Sequence, residues 1–166
     1  RRLYAAAEVL HAKPVDILAK AKSFTAELKE ARQSVERMKE KILHSDVERF
    51  LYASKNIGGI KVITTTRTDL EAGDLRKLGD FLRDKDPDTV AVLATATESK
   101  VTFVAVCGKN AVAKGIRAGD LVRAVSAVAG GKGGGKPDSA MGGGKDLLKL
   151  DDALAGVDDF VTTHLA

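Results

Sequence analysis

The N-terminal third of the chain is organised by a seven-residue repeat of apolar positions. Two series of apolar side chains, offset by three residues, recur at every seventh position over about four heptads, and most positions between them are charged. This spacing predicts one long helix from Val15 to about Phe50, roughly 50 Å in length. A short helix, Leu3–Ala12, precedes it and ends at Pro14, because proline disfavours helix in the preceding residue. The repeat consists of Ile17, Ala21, Phe24, Leu28, Ala31, Val35, Met38 and Ile42.

The apolar seam of this long helix must be covered by another surface. The first helix is too short to cover all of it. Two interpretations stay open: the seam forms a homodimer, or the helix is a spacer or hairpin that packs on another part of a longer protein. In the first case, the predicted dimerisation residues are Ala21, Phe24, Leu28, Ala31, Val35, Met38 and Ile42.

Residues 57–107 alternate β-branched runs with turns, which predicts a small α/β unit. The spacing from Thr68 to Glu71 is that of a capping box, and a helix is expected from there to about Arg83. We expect the first two strands and this helix to form a parallel βαβ unit, and the second and third strands to form an antiparallel hairpin. The predicted strands are Ile60–Thr66, Thr89–Ala96 and Val101–Cys107.

The last third is predicted to be helical around a glycine-rich loop, Gly130–Asp146. The expected helices are Lys109–Gly115, Asp120–Ala129, Leu147–Ala155 and Val157–Leu165. The fold class is therefore α/β, with an α+β-like arrangement. A helical or coiled-coil arm, residues 1–56, precedes a globular domain, residues 57–166. That domain is expected to hold a mixed sheet of three or more strands with flanking helices.

Charge and composition favour a polyanionic partner and argue against disulfide-stabilised, metal-binding and membrane-spanning proteins. The formal net charge is +4, but residues 108–150 carry +5 and residues 151–166 carry −4. A local basic excess favours a polyanionic partner. Cys107 is the single cysteine, which excludes an intrachain disulfide and fits a reducing compartment. The three histidines are far apart in sequence and predict no metal site, and no apolar run has membrane-spanning length. The chain begins without Met, as expected for a piece of a longer protein.

Eight of the sixteen glycines lie in the stretch GGKGGGKPDSAMGGGKD, residues 130–146. Gly130 to Lys136 matches most of a phosphate-loop pattern, but Pro137 stands where Ser or Thr would bind magnesium, and a predicted helix precedes the loop. Nucleotide hydrolysis is therefore not expected. Three interpretations remain: contact with an anion or nucleic acid through backbone amides and lysines, close packing of backbones, or a flexible linker.

This glycine-rich stretch resembles the glycine motif of the DHH-associated domain at the C-terminus of alanyl-tRNA synthetases. The segment AKGIRAGDLVRAV, residues 113–125, is similar to the part that precedes the motif, and KLDDAL, residues 149–154, is similar to its continuation. The heptad helix and the order of the elements also resemble that C-terminal part, and Arg1-Arg2 is similar to the end of the editing domain. The resemblance covers nearly the whole chain.

The resemblance implies a parent alanine–tRNA ligase of protein biosynthesis, cytoplasmic, that uses ATP, magnesium and zinc. This fragment would have no catalytic residue, cofactor or metal of its own. It would bind tRNA(Ala), contact the remainder of the synthetase and help both active sites share one tRNA, with a homodimer through the heptad helix as a further expectation. The residues expected to contact tRNA are Gly131, Lys132, Gly133, Gly134, Gly135, Lys136, Gly143, Gly144 and Lys145, with Arg117 and Arg123 as weaker candidates.

Two alternatives remain beside this one. The chain could be a protein-interaction and dimerisation spacer, which the heptads favour. It could also be the nucleic-acid-binding domain of a DHH-family phosphoesterase. The catalytic half of such an enzyme has no counterpart in the sequence, and the heptad helix favours the synthetase.

Overall fold

The computed structural model describes residues 1–165. The chain divides into two compact units, Arg1–Ile42 and the residues from Leu43 onward. The division falls inside the long helix. The reason is burial: Leu43 and Val47 are each only 2% exposed and belong to the core of the second unit.

The helices of the arm match the heptad prediction closely. Helix α1 is Arg2–Val9 and α2 is Ile17–Tyr52. Helix α2 is continuous over 36 residues, about 54 Å, which confirms the long helix. It begins slightly later than expected because Pro14–Asp16 forms a 3-10 turn. Helix α1 ends at Val9, before the predicted Ala12. His11 has a φ of 51°, a left-handed value that a right-handed α-helix does not include.

Among residues 1–165, six strands form one mixed sheet in the order β1-β2-β3-β4-β6-β5. Strands β2 and β3 are parallel with a helix between them, and β3 and β4 are antiparallel, so both predicted pairings are confirmed. The three predicted strands have the predicted bounds. The strands are β1 Lys55–Ile57, β2 Ile60–Thr66, β3 Thr89–Ala96, β4 Val101–Cys107, β5 Gly133–Gly135 and β6 Ser139–Gly144.

The helices of the globular unit follow the sequence pattern with one correction. The predicted capping box at Thr68 is wrong: Glu71 is the N-cap and its side chain makes no capping bond. The chain before it is a turn, because Arg67 binds the carboxylate of Asp69 through two nitrogens. The helices are α3 Ala72–Lys85, α4 Lys109–Ala113, α5 Ala118–Val128, α6 Leu150–Ala155 after a 3-10 turn at Leu147–Lys149, and α7 Val157–His164.

The sheet is covered on both faces. Helices α4 to α7 pack on one face, where Phe103 and Leu121 are fully buried. Helix α3 and the last turns of α2 pack on the other, around Leu78 and Leu93. Two-sided burial explains why β3 and β4 are almost entirely apolar, without the alternation that a half-exposed strand shows.

Candidate nucleic-acid interface

The glycine-rich stretch forms a β-hairpin, not the predicted loop. Strand β6 pairs with β4, and β5 pairs with β6 at the edge of the sheet. The hairpin continues beyond its strands, because the Gly143 amide donates to the Lys132 carbonyl (3.0 Å) and the Lys136 amide donates to the Ser139 carbonyl (2.9 Å). An element paired within the sheet is not a flexible linker, so that interpretation is wrong.

Close approach of the hairpin to α5 and within itself accounts for most of its glycines. A Cβ at Gly142 would lie 2.2 Å from the Ser126 Oγ, and one at Gly144 would lie 2.3 Å from the Ala129 carbonyl oxygen. Real Cβ atoms do not come this close, so α5 packs on this hairpin only because the side chains are missing. A Cβ would also come within 3 Å of another atom at Gly131, Gly133, Gly135 and Gly143.

Gly134 is the exception in this stretch. Its backbone angle φ is not in the left-handed region, and a Cβ there would meet no atom nearer than the Arg123 Nη2 at 3.8 Å. Neither packing nor conformation therefore requires glycine at this position. The residue lies in the middle of the edge strand, where the absent side chain leaves backbone open to an approaching molecule.

The three lysines of the stretch do not form one cluster. Lys132 lies opposite Gly143 at the open end of the hairpin, where Lys145 also lies, just beyond β6. Lys136 lies at the closed end, four residues along the chain from Lys132, which is about 13 Å in an extended strand. All three side chains belong to exposed residues. Lys136 therefore belongs to the other end of the hairpin from Lys132 and Lys145.

The two predicted arginines lie on α5 beside the hairpin. Arg117 is the N-cap of α5, and the next amide, Ala118, donates to the Pro137 carbonyl (2.8 Å), which puts Arg117 at the closed end. Arg123 donates to Asp120 at 3.0 Å, an exposed pair one helical turn apart. Its charge is thus partly neutralised. The candidate residues divide into an open-end group and a closed-end group.

Four backbone amides of the glycine-rich stretch are bound within the protein. The Gly130 amide donates to the Ala127 carbonyl at 3.2 Å, and the Gly131 amide donates to the Ser126 carbonyl at 2.8 Å. The amides of Lys136 and Gly143 are bound within the hairpin. These four amides are therefore not free to bind an anion.

A shallow groove of about 470 Å³ runs beside the hairpin on the α3 side. Its lining includes Arg76 and Arg83 from α3, Lys136, and the half-buried Met141. Neither arginine is among the contact residues predicted from the sequence, although the two are seven residues apart and so lie on one side of α3. Arg83 is engaged by carboxylates, with Asp84 at 3.1 Å and Asp80 and Asp138 at 3.5 Å.

Cys107 is not part of an exposed site. It is fully buried on β4, and this burial, with a smaller contribution from Asp138, raises the pKa of the thiol to about 12. Among residues 1–165, no group of three or more His, Cys, Asp or Glu side chains is placed to hold a metal ion. No helix in this described part of the chain combines the length and apolarity needed to cross a bilayer.

Comparison with known proteins identifies the family. The model of the DHHA1 domain matches residues 59–163, from just before β2 into α7, near the end of the globular unit. The chain belongs to the DHHA1 domain family. The helical arm lies outside the matched region, while the hairpin and both groups of basic residues lie within it.

This DHHA1 domain and its arm are similar to parts of much longer proteins. The chain is 37% identical over 135 residues to the alanine–tRNA ligase of Acetivibrio thermocellus, covering 81% of this chain and 15% of that protein. It is 36% identical over 161 residues to the alanine–tRNA ligase of Thiobacillus denitrificans, covering 97% of this chain and 18% of that protein. The chain thus spans less than a fifth of the curated relatives that it matches.

A solved structure extends the similarity to three dimensions. The chain matches the C-Ala domain from Aquifex aeolicus alanyl-tRNA synthetase with a TM-score of 0.62 and 29% identity. The match covers 66% of this chain and 97% of that domain. Family model, sequence and structure therefore agree on the resemblance that the glycine motif indicates.

Proposed function

We propose that this chain is the C-terminal tRNA-binding part of an alanine–tRNA ligase, and that it has no catalytic activity by itself. The observation that carries the proposal is the similarity to the C-Ala domain and to two alanine–tRNA ligases. The aminoacylation and editing sites, with their ATP, magnesium and zinc, belong to the remainder of the synthetase. In the cytoplasm this part holds tRNA(Ala) so that both sites act on one molecule.

The charge distribution supports a nucleic-acid partner. Residues 108–150 carry a net charge of +5, and the predicted contact lysines within them are exposed. Basic side chains on one surface bind phosphates by releasing counterions, which makes affinity depend steeply on salt. Aromatic residues make up only 4% of the chain, so base stacking contributes little to binding.

The proposal is tested by titrating labelled tRNA(Ala) with this chain at about 50 and 200 mM salt. We expect binding that weakens steeply with salt. Replacing Lys132, Lys136 and Lys145 with Ala should lower the affinity and flatten the salt dependence, since each lost phosphate contact lowers the slope by roughly 0.7–0.9. The matched control replaces Lys20, Lys22 and Lys29 of α2 with Ala, the same change in net charge on the arm.

Two results would count against the proposal. Absence of tRNA binding by the folded wild-type chain at low salt would overturn tRNA binding as its function. Equal losses in the two triple variants would show that net charge, and not the glycine-rich hairpin, governs the interaction. Circular dichroism of each variant shows whether it remains folded.

A second candidate function, dimerisation through α2, has its own support. The seam residues Leu28, Val35, Met38 and Ile42 are half or more exposed in the single chain. A regular apolar stripe on a helix is the geometry that a coiled-coil partner covers. Dimerisation and tRNA binding use different units of the chain, so both functions can be present together.

A further inference from the structure

The register of the sheet brings together cations that are far apart in sequence. Val101 of β4 pairs with Gly144 of β6. One residue beyond this last pair, Lys100 therefore lies opposite Lys145. Opposite residues on neighbouring antiparallel strands have Cβ atoms about 4.5–5.5 Å apart. Two exposed ammonium groups are thus neighbours at this corner of the sheet, one of them in a turn that carries no glycine motif.

Lys132 joins the same corner. Its carbonyl accepts the Gly143 amide, and Gly143 pairs with Thr102 of β4. These three residues form a row across three strands, adjacent to the row of Lys100 and Lys145. Rows two residues apart lie on the same face of a sheet and are about 7 Å apart.

The face on which these rows lie is the α3 side. The next row, two residues further along the strands, pairs Val104 with Met141, and both belong to the core cluster under α3. Helix α3 packs on β3 and β4, and the groove separates it from the hairpin. The rows of Thr102 and Lys100 lie beyond that buried row, and both Gly143 and Thr102 are partly exposed.

The corner consists of a floor almost without side chains and a cationic border. Gly134 of β5 lies two residues from Lys132, on the same face of the sheet, and it pairs with Met141 and lines the groove together with Arg76. We call this surface the glycine floor, formed by Gly134, Gly143 and Thr102. Its border carries four cations, and none of them forms an ion pair within residues 1–165: Arg76, Lys100, Lys132 and Lys145.

We infer that the glycine floor binds a ribose–phosphate segment of RNA, with Lys100 and Arg76 as phosphate contacts that the glycine motif does not include. This inference rests on the proposed function and names the surface that carries it. A floor of bare backbone admits a sugar that side chains would keep away. Ammonium and guanidinium groups at its border lie within reach of neighbouring phosphates, and the Thr102 hydroxyl supplies a donor for a phosphate or 2′-hydroxyl oxygen.

Charge balance favours this corner over the closed end of the hairpin. At the closed end, Arg83 is surrounded by three carboxylates, and Asp138 follows closely after Lys136. At the corner, Glu98 and Asp146 are the acidic residues nearest along the chain to Lys100 and Lys145. Asp74 and Asp80 lie near Arg76 on α3, but none of the four cations forms an ion pair within residues 1–165. The Asp146 carboxylate accepts the Leu148 amide at 3.2 Å, so it is held at the start of the next helical turn.

The test compares charge-matched variants on opposite ends of the sheet, using tRNA(Ala) as the probe. Lys100→Ala should weaken binding about five-fold and lower the salt slope by about one, as expected for a lost phosphate contact. Lys109→Ala, an equal charge change on α4, should leave the affinity within about two-fold of wild type. Gly134→Val should weaken binding more than Lys100→Ala does, because a branched side chain then occupies the floor.

The outcomes distinguish a failure of tRNA binding itself from a failure of the glycine floor as its site. If the wild-type chain binds no tRNA, the proposed function and this inference are both overturned. If the wild type binds and Lys100→Ala behaves like Lys109→Ala while Gly134→Val binds normally, tRNA binding stands and the glycine floor is not its site. Urea unfolding of Gly134→Val shows whether a loss of binding comes from the blocked floor or from misfolding. If Gly134→Val is unfolded, Arg76→Ala and Lys100→Ala decide by their salt slopes.

Discussion

At the scale of single residues, the glycines of the hairpin have different reasons to be glycine. At Gly144 a Cβ would meet the Ala129 carbonyl oxygen at 2.3 Å and the Ala129 Cβ at 2.6 Å, and these are fixed atoms of a buried residue. At Gly134 there is room for a Cβ. Packing therefore explains why residue 144 is glycine. At Gly134, packing gives no such reason, and the feature that glycine provides there is an accessible backbone.

This contrast predicts that replacement with Ala destabilises the fold at Gly144 and leaves it nearly unchanged at Gly134. Gly144→Ala should lower the free energy of unfolding by about 2–3 kcal/mol, because the added methyl group overpacks the contact with α5. Gly134→Ala should change it by no more than about 0.5 kcal/mol. Urea denaturation followed by circular dichroism measures both. A Gly144→Ala variant as stable as Gly134→Ala would contradict the packing explanation.

At the scale of elements, one charged network joins the last turns of α2 to the turn after β2. Arg67 donates to Asp46 and to Asp69, each at 2.7 Å, and Arg49 also donates to Asp46 at 2.7 Å. Asp46 is 8% exposed, and both arginines donate to its carboxylate. Charged hydrogen bonds of this kind fix the direction of both elements where they meet.

The network predicts a loss of stability in acid. Hydrogen bonding from Arg67 lowers the pKa of Asp69 from 3.8 to about 2. A carboxyl group with a lowered folded-state pKa stabilises the fold above its unfolded pKa, and this contribution is lost as the pH falls. The urea midpoint of the wild type should therefore decrease between about pH 4 and pH 2. Asp69→Asn should be less stable at pH 6 and lose less in that interval.

The exposed position of Asp69 keeps this effect small, since solvent screens a surface pair. Asp158→Asn is the matched control, because Asp158 pairs with Lys55 on the surface, away from this network. Parallel acid curves for wild type and Asp69→Asn would contradict the assignment.

At the scale of the whole molecule, the chain divides inside α2 into two units that differ in how their apolar side chains are covered. The unit from Leu43 onward has a core on both faces of its sheet, whereas Arg1–Ile42 presents an apolar seam. The exposed fraction is 50% at both Leu28 and Val35. Such a seam is expected to find a second copy of the chain as its concentration rises.

Dimerisation through the seam predicts a mass that depends on concentration. Sedimentation equilibrium should show a dimer at high micromolar concentration, and replacing Leu28 and Val35 with Lys should give a monomer. The matched control replaces Ala26 and Gln33 with Lys, the same charge change on the opposite side of the helix, and should remain dimeric. A wild-type chain that stays monomeric throughout the series would overturn the proposal.

Local sequence predicted most of the fold but not the form of its glycine-rich part. The β-branched run Ile60–Thr66 and the apolar run Val101–Cys107 became strands with the predicted bounds, because their side chains suit a buried sheet. Gly133–Gly135 has no such preference. It is a strand because it pairs with β6, which is a fact of tertiary packing.

The arrangement of the candidate site was also only partly predictable from local sequence. Lys132 and Lys145 were found from the motif that contains them, although nothing local could say that Lys136 lies at the other end of the hairpin. The proximity of Lys100 to Lys145 follows from the register between β4 and β6. Long-range strand pairing of this kind leaves no periodic signal in a single sequence.

Burial of Cys107 has a practical consequence for experiments on this chain. Because its thiol is the single one and has a pKa raised to about 12, maleimide and iodoacetamide reagents find almost no thiolate in the folded protein at neutral pH. A cysteine introduced at Ser99, beside Lys100, would then be the one reactive site on the surface. The natural sequence is thus already suited to site-directed attachment of a fluorophore or spin label, without prior removal of a native cysteine.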